Sequence, residues 1–296
     1  MMKRNIVYKI LSIFFIMGIF LIPIQKIKVQ ASTPILSLSD RLLVIRFLNV
    51  GQGDSSLITF PNGKVILIDG GDIEHGKVVV NKLEKYHVQK IDTIVNTHPD
   101  IDHIGGLITV LKKYKVGQVI ESGKKYGGHA NYLFKKIIQS KHIPIFIAKV
   151  NNKINIDEKV SLTILNSGHN NESNNDSSIV IKLLYNQLSV LFTGDIEKRA
   201  ESRLIKYPDI SSKILKVAHH GSFTSSTSKF LNQVNPCVAI ISYNKRNPYG
   251  HPHRSVVKRL LKRNVKIYST AVNDDVEIVS TGNRHFIEDT EVKFPK

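Results

Sequence analysis

Asn96-Thr-His-Pro-Asp-Ile-Asp-His-Ile-Gly-Gly-Leu107 is the stretch around which the chain is organised. Within six residues it holds His98, Asp100, Asp102 and His103, with two glycines directly behind. Asp92-Thr-Ile-Val-Asn96 upstream reads as a short buried strand, and Gly105 to Lys113 downstream reads as the start of a helix. The four polar side chains therefore fall on a strand-to-helix loop, where a rigid scaffold can aim them at one point. Two imidazoles and two carboxylates form a hard-to-borderline donor set suited to Zn, Mn or Fe. The competing reading is a solvated turn whose first carboxylate caps the helix.

Other strand ends weigh against the plain turn. Ser56 to Phe60 and Lys64 to Asp69 flank Pro61-Asn62-Gly63, a hairpin signal, and the second strand runs into Asp69-Gly-Gly71. Leu42 to Asn49 is a strand that leads into the glycine turn Gly51-Gln-Gly-Asp54, where Asp54 reads as no more than a turn residue. Helices are expected over Gly76 to Tyr86 and Asn131 to Ser140, the latter between strands Val116 to Glu121 and Pro144 to Ala148. Consecutive strands follow at Val160 to Leu165, Ser178 to Tyr185 and Leu188 to Thr193, with a polar loop from Asn166 to Ser177. Strand-helix alternation then resumes. Asp195 ends a strand before a helix at Ile196 to Lys206, and Ile214 to Ala218 runs into His219-His220. Val238 to Ser242 precedes His251-Pro-His253, and Ser255 is the expected cap of a helix to Arg263. Two short strands near Lys266 and Val276 close the chain. Two halves of this kind predict an α/β fold with two packed sheets and helices outside, an αββα sandwich.

The 296 residues contain 42 Lys and Arg against 24 Asp and Glu, a formal net charge of +18. The single cysteine, Cys237, excludes an internal disulfide framework, and with no Cys-x-x-Cys pair there is no thiolate zinc site. Residues 1–31 carry a basic start, an apolar run from Ile10 to Ile24 and a Val29-Gln-Ala31 site, the pattern of a secretory signal peptide cleaved after Ala31. The alternative is an uncleaved anchor on the outer face of the cell membrane. The apolar run is shorter than the ~20 residues of a spanning helix, so cleavage and a secreted single domain over residues 32–296 are expected. Losing Lys3, Arg4, Lys9, Lys26 and Lys28 leaves a mature charge of +13. Such a surface attracts polyanions, which outside the cell are nucleic acid, teichoic acid or anionic lipid.

Six motifs in order resemble one family. Phe47-Leu-Asn-Val-Gly-Gln-Gly-Asp54, Ile68-Asp-Gly-Gly71, Thr97-His-Pro-Asp-Ile-Asp-His-Ile-Gly-Gly106, Thr193-Gly-Asp195, Lys216-Val-Ala-His-His-Gly-Ser222 and Tyr249-Gly-His-Pro-His253 are similar to the metallo-β-lactamase-like hydrolase domain of ComEC-type competence proteins. The resemblance covers Leu43 to Val279. It implies two divalent metal ions, Zn2+ or Mn2+, held at one edge of the two sheets. His98 and Asp100 would serve one ion, Asp102 and His103 the other, with Asp195 bridging and His220 as the remaining ligand. The roles of His219 and His220 are interchangeable at this stage, and His219 would face the phosphate or leaving group. Asp100 stands where many superfamily members have a second histidine, which hardens that site. His169 lies where a further ligand histidine is sometimes supplied, but in a polar loop. His251 would hold the substrate or protonate the leaving oxygen, His253 would be structural, and Asp69 would orient a ligand histidine. The role of Lys216, at the end of a buried-looking strand, is open. No further apolar stretch could span a membrane, so the chain resembles an exported, freestanding relative rather than a DNA-uptake channel.

The reaction class that follows is hydrolysis at a two-metal centre, with Asp102 both ligating and orienting the attacking water. The leading expectation is a secreted phosphodiesterase, a nuclease acting on DNA. The alternatives are a cell-wall phosphodiesterase acting on teichoic acid or its phosphorylcholine, a lactonase or β-lactamase, and a polyanion-binding module without catalysis. A choline site needs an aromatic cage, and the chain has no Trp.

Overall fold

The computed structural model describes residues 42–168, 172–287 and 291–292. The leader and His169 lie outside the described residues. Strand β1 (Leu43–Phe47) buries Leu43, Ile45 and Phe47 and turns Val44 and Arg46 outward, the period-2 pattern of a strand covered more fully on one face. It pairs antiparallel with β2 (Ser56–Thr59), which pairs with β3 (Val65–Ile68). All four residues of β3 are buried, because layers of protein cover both of its faces.

Helix α1 (Gly76–Lys85), β4 (Ile91–Asn96), α2 (Ile101–Ile104), α3 (Leu107–Lys113), β5 (Val116–Glu121), α4 (His129–Ser140) and β6 (Ile145–Ile147) complete the first half. The helix expected over Gly105 to Lys113 is α3, beginning at Leu107, and Asp102 and His103, expected on the loop before it, lie in the short helix α2, set off from α3 by Gly105-Gly106. Gly106 packs so closely that a Cβ there would lie 1.9 Å from the Gly70 carbonyl oxygen. The second half contains β7 (Ser161–Asn166), β8 (Val180–Tyr185), β9 (Leu188–Phe192), α5 (Lys198–Leu204), β10 (Ile214–Lys216), α6 (Ser228–Val234), β11 (Val238–Ile241), α7 (Arg254–Leu261), β12 (Lys266–Ser269), α8 (Thr270–Asn273), β13 (Val276–Ser280) and β14 (His285–Ile287). Helix α8 and strand β14 go beyond the sequence expectation. The cap of α7 also differs from it: Ser255 lies inside the helix and His253 takes the N-cap position.

One sheet has the order β14-β13-β1-β2-β3-β4-β5-β6 and the other β12-β11-β10-β9-β8-β7. Residues such as Ile45, Ile58, Leu162 and Ile181 form the core between them, with Phe47 of β1 stacked on Phe192 of β9 at 5.8 Å. A second core joins the first sheet to α1, α3 and α4, and a third joins the other sheet to α5, α6 and α7. The layers are therefore helix, sheet, sheet, helix, the αββα arrangement. β3 and β4 are parallel, as are β9, β10 and β11. Loops leaving the carboxyl ends of parallel strands are where open sheets place ligands. No helix among the described residues is long and apolar enough to cross a membrane.

Candidate metal centre

Loops at these strand ends bring the predicted residues together. Asp69 follows β3, His98 to His103 follow β4, Asp195 follows β9, and His219 with His220 follow β10. Asp195 is at the centre. Its Oδ2 lies 3.2 Å from His103 Nε2, 3.5 Å from His220 Nε2, 3.9 Å from His219 Nε2 and 4.0 Å from His98 Nε2. Asp102 Oδ2 is 3.2 Å from His220 Nε2, and Asp100 Oδ2 is 3.7 Å from His98 Nε2.

The outer ring nitrogens explain why the inner ones converge. Asp69 takes a left-handed backbone (φ 57°) that turns its carboxylate into the protein. It accepts hydrogen bonds from the Thr97 hydroxyl (2.7 Å), the Thr97 N–H (2.8 Å) and His103 Nδ1–H (2.9 Å). With its hydrogen given to Asp69, the Thr97 oxygen accepts from His98 Nδ1–H at 3.1 Å. His220 Nδ1–H donates to the Ser242 carbonyl at 3.0 Å. All three histidines thus carry a proton on Nδ1 and turn Nε2 inward. The Nε2 atoms of His98, His103 and His220, with Asp195 Oδ1, are buried and have no hydrogen-bond partner. Orphaned buried polar atoms are rare and call for a missing partner. Ligand atoms within 4.8 Å of one another occur in three sets: His98, His103 and Asp195; Asp102, His103 and His220; and Asp54, Asp195 and His220. This donor set fits divalent cations.

Charge follows geometry. Burial opposes the imidazolium of His220, but Asp195, Asp102 and Asp54 outweigh it and raise the group to about 10. Burial likewise opposes the His103 imidazolium, and Asp195 and Asp69 raise it well above the usual histidine range. His98 is lowered, by burial and then by His103. Burial favours the neutral acid at Asp195, yet His103 and His220 hold it well below the usual carboxylate range. Without metal, the protons on His103 and His220 offset the acidic cluster.

His219 and His220 separate clearly. Both have positive φ (51° and 53°) on a tight turn, not on a strand. Neighbouring side chains on a strand face apart, but on this turn both rings reach Asp195. His220 is 1% exposed and belongs to two of the ligand sets, whereas the His219 side chain is 22% exposed and belongs to none. Its Nδ1 is 3.4 Å from Glu197 Oε1 and 3.3 Å from Thr224 Oγ1. His251 is buried beside them, its ring 5.5 Å from His219 and 5.9 Å from His220. Burial, and then the charges of His220, His219 and His253, lower it to about 4. His253 accepts the Phe223 N–H on Nδ1 at 3.3 Å.

The sequence reads Asp54 as no more than a turn residue and leaves the role of Lys216 open; the structure pairs them. Lys216 Nζ donates to Asp54 Oδ2 at 2.7 Å, with both side chains buried. Asp54 Oδ1 lies 3.3 Å from His220 Nδ1, which directs its hydrogen at Ser242 instead. The Asp54 N–H donates to the Asp102 carbonyl at 3.1 Å, and a Cβ on Gly53 would come within 2.2 Å of that oxygen. The glycine turn is therefore the means by which Asp54 is packed beneath the loop of His98 to His103. Its signal was present in the Gly51-Gln-Gly-Asp54 motif, but only the fold pairs it with Lys216.

A family model, that of the Metallo-beta-lactamase superfamily, matches residues 48–243. The chain is 27% identical over 251 residues to ComE operon protein 3 of Bacillus subtilis (strain 168), across 79% of this chain and 32% of that protein. It is 32% identical over 256 residues to Recombination protein 2 of Haemophilus influenzae, across 83% of this chain and 30% of that protein. The chain spans about a third of the length of these curated relatives. Among solved structures, the CmlA beta-hydroxylase E377D mutant is similar in fold, with a TM-score of 0.52 at 10% identity over 79% of this chain and 53% of that one. The matched residues contain the whole run from Asp54 to His220, and the chain belongs to the metallo-beta-lactamase superfamily, in the branch with ComEC-like hydrolase domains.

Proposed function

We propose that the protein is an exported metal-dependent phosphodiesterase that cuts DNA. The observation that carries the hydrolytic reading is the convergence of three unpartnered Nε2 atoms on Asp195. The DNA reading is supported by the charge of +13 that remains without the leader and by a relative named for recombination. Export is inferred from the leader pattern of residues 1–31.

His98 and Asp100 would hold one divalent cation, Asp102, His103 and His220 the other, and Asp195 both. Zn2+ or Mn2+ bound there supplies a Lewis acid and lowers the pKa of water toward neutrality. The chain's own residues do the rest. Asp69 fixes the tautomers of His103 and, through Thr97, of His98. Asp102, more accessible than Asp195, would orient the attacking water. His219 faces the centre from the solvent side and is placed to give a proton to the leaving oxygen. His251 is neutral at pH 7 and keeps an unpartnered Nδ1, so it holds a phosphoryl oxygen by hydrogen bonding instead of acting as the acid.

The test is cleavage of linear DNA and of bis(p-nitrophenyl) phosphate with Mn2+ or Zn2+, with Asp102→Ala as the blank. Cleavage of DNA that disappears in the variant is expected. Cleavage of the small diester alone would redirect the reading to a wall polymer such as teichoic acid. No cleavage of either would overturn it and leave lactone hydrolysis or polyanion binding.

A further inference from the structure

The mouth of the centre carries aromatic rings that the proposed hydrolysis does not use. Phe223 is 56% exposed and Tyr249 is 62% exposed. They are the two ends of a continuous file of rings. Phe223 meets His253 at 4.9 Å, His253 meets His251 at 5.2 Å, and His251 meets Tyr249 at 5.5 Å with the planes inclined by only 25°. The middle of the file touches the centre through the contacts of His251 with His219 and His220.

Both outer rings are held in place. Asn247 organises the loop before His251: its amide donates to the carbonyls of Asn244 and His251, and its oxygen accepts from the N–H groups of Tyr249 and His251. Tyr249 is thereby fixed against His251 while most of its surface stays in water. Phe223 is tied by its N–H to His253. Lys245 and Arg246, both exposed, lie on the same loop as Tyr249. Exposed aromatic rings occur elsewhere, at Tyr132, Phe146 and Phe286. What distinguishes Phe223 and Tyr249 is that they continue the ring file of the centre outward in two directions.

We infer that Phe223 and Tyr249 form a stacking subsite for unpaired nucleobases on either side of the bond to be cut, so that the substrate is single-stranded nucleic acid. This rests on the phosphodiesterase reading and makes it narrower. Ordered aromatic rings beside basic side chains hold single strands by stacking, a mode that tolerates any base and is closed to bases paired in a duplex. A polymer of glycerol phosphate has the same charges but no ring to stack. The two cations of the loop would hold phosphates, and the rings would set the register of the strand over His251.

The test separates base from backbone. Binding of a fluorescein-labelled dT 12-mer and of a 12-mer of abasic sites is measured by anisotropy with the metal-free protein in physiological salt. Phe223→Leu, Tyr249→Leu and the double variant are measured in parallel. The wild type is expected to prefer the dT strand by about tenfold or more, each single variant to lose roughly fivefold, and the double variant to lose the preference. Affinity for the abasic strand stays unchanged in all four proteins, which also shows that the variants are folded. Equal or undetectable binding of both strands by the wild type, or a preference retained by the double variant, overturns the subsite. The Mn2+-loaded protein is then given the dT strand. A strand that is held by the rings but left uncut contradicts the hydrolytic reading and leaves the subsite standing.

Discussion

The two sides of Asp195 are built on different plans. On one side His98 is backed only by hydroxyls, those of Thr97 and Ser178 at 3.1 and 3.3 Å, and its partner Asp100 is 39% exposed and accepts a hydrogen bond from Asn174. On the other side His103 is backed by the buried Asp69 carboxylate, and His220 lies against Asp54, itself held by Lys216. Asp195, nearer to His103 and His220 than to His98, and after it the backing carboxylates set the charge each side carries. His98 is neutral and ready to donate a lone pair, whereas His103 and His220 hold protons that a cation must displace. The side rich in carboxylates gains more from a cation once those protons have left. The centre should therefore bind two unequal ions, a tight one at Asp102, His103 and His220 and a weaker one at His98 and Asp100.

The strongest way to break this asymmetry is His220→Ala. It should abolish the tight binding step and reduce phosphodiester cleavage on the order of a thousandfold, since a cation supplies several kcal/mol of transition-state stabilisation. Titration calorimetry and a diester assay read the two effects.

Lys216→Met should leave Asp54 buried without its hydrogen-bonded cation, at a cost of about 3–5 kcal/mol in stability. Chemical denaturation measures it, and the double variant Lys216→Met/Asp54→Leu should recover much of the loss because the uncompensated charge has gone. Asp69→Asn removes the carboxylate behind His103 and should weaken the tight ion by about 10–100-fold. Asp100→Asn should be milder, weakening only the second ion and leaving the first step of the titration in place.

Much of this centre could be read before the fold was known. The cluster from His98 to His103 and the polar residues at the ends of β3, β9 and β10 follow from strand-length apolar runs that stop at Gly and Asp. Contacts between distant residues could not be read. Asp54 and Lys216 are 162 positions apart, and no local pattern pairs a turn aspartate with a strand lysine. His219 and His220 looked like a strand end because the residues before them are apolar; their left-handed backbone belongs to a turn in which the next residue, Gly221, packs closely against Pro252, a contact between distant parts of the chain. The ring file of Phe223, His253, His251 and Tyr249 draws on two loops that meet only when α6 and α7 pack on one sheet.

The unequal centre is tested most directly by titrating Mn2+ into the metal-free protein at pH 7 in two buffers of different ionisation enthalpy. The account predicts two steps. The first is tight and releases protons from His103 and His220, so its heat depends on the buffer and its affinity rises with pH. The second is weaker and shows no buffer dependence, because His98 has no proton to give up on Nε2. Two equivalent steps, or a tight step that releases no protons, would contradict it.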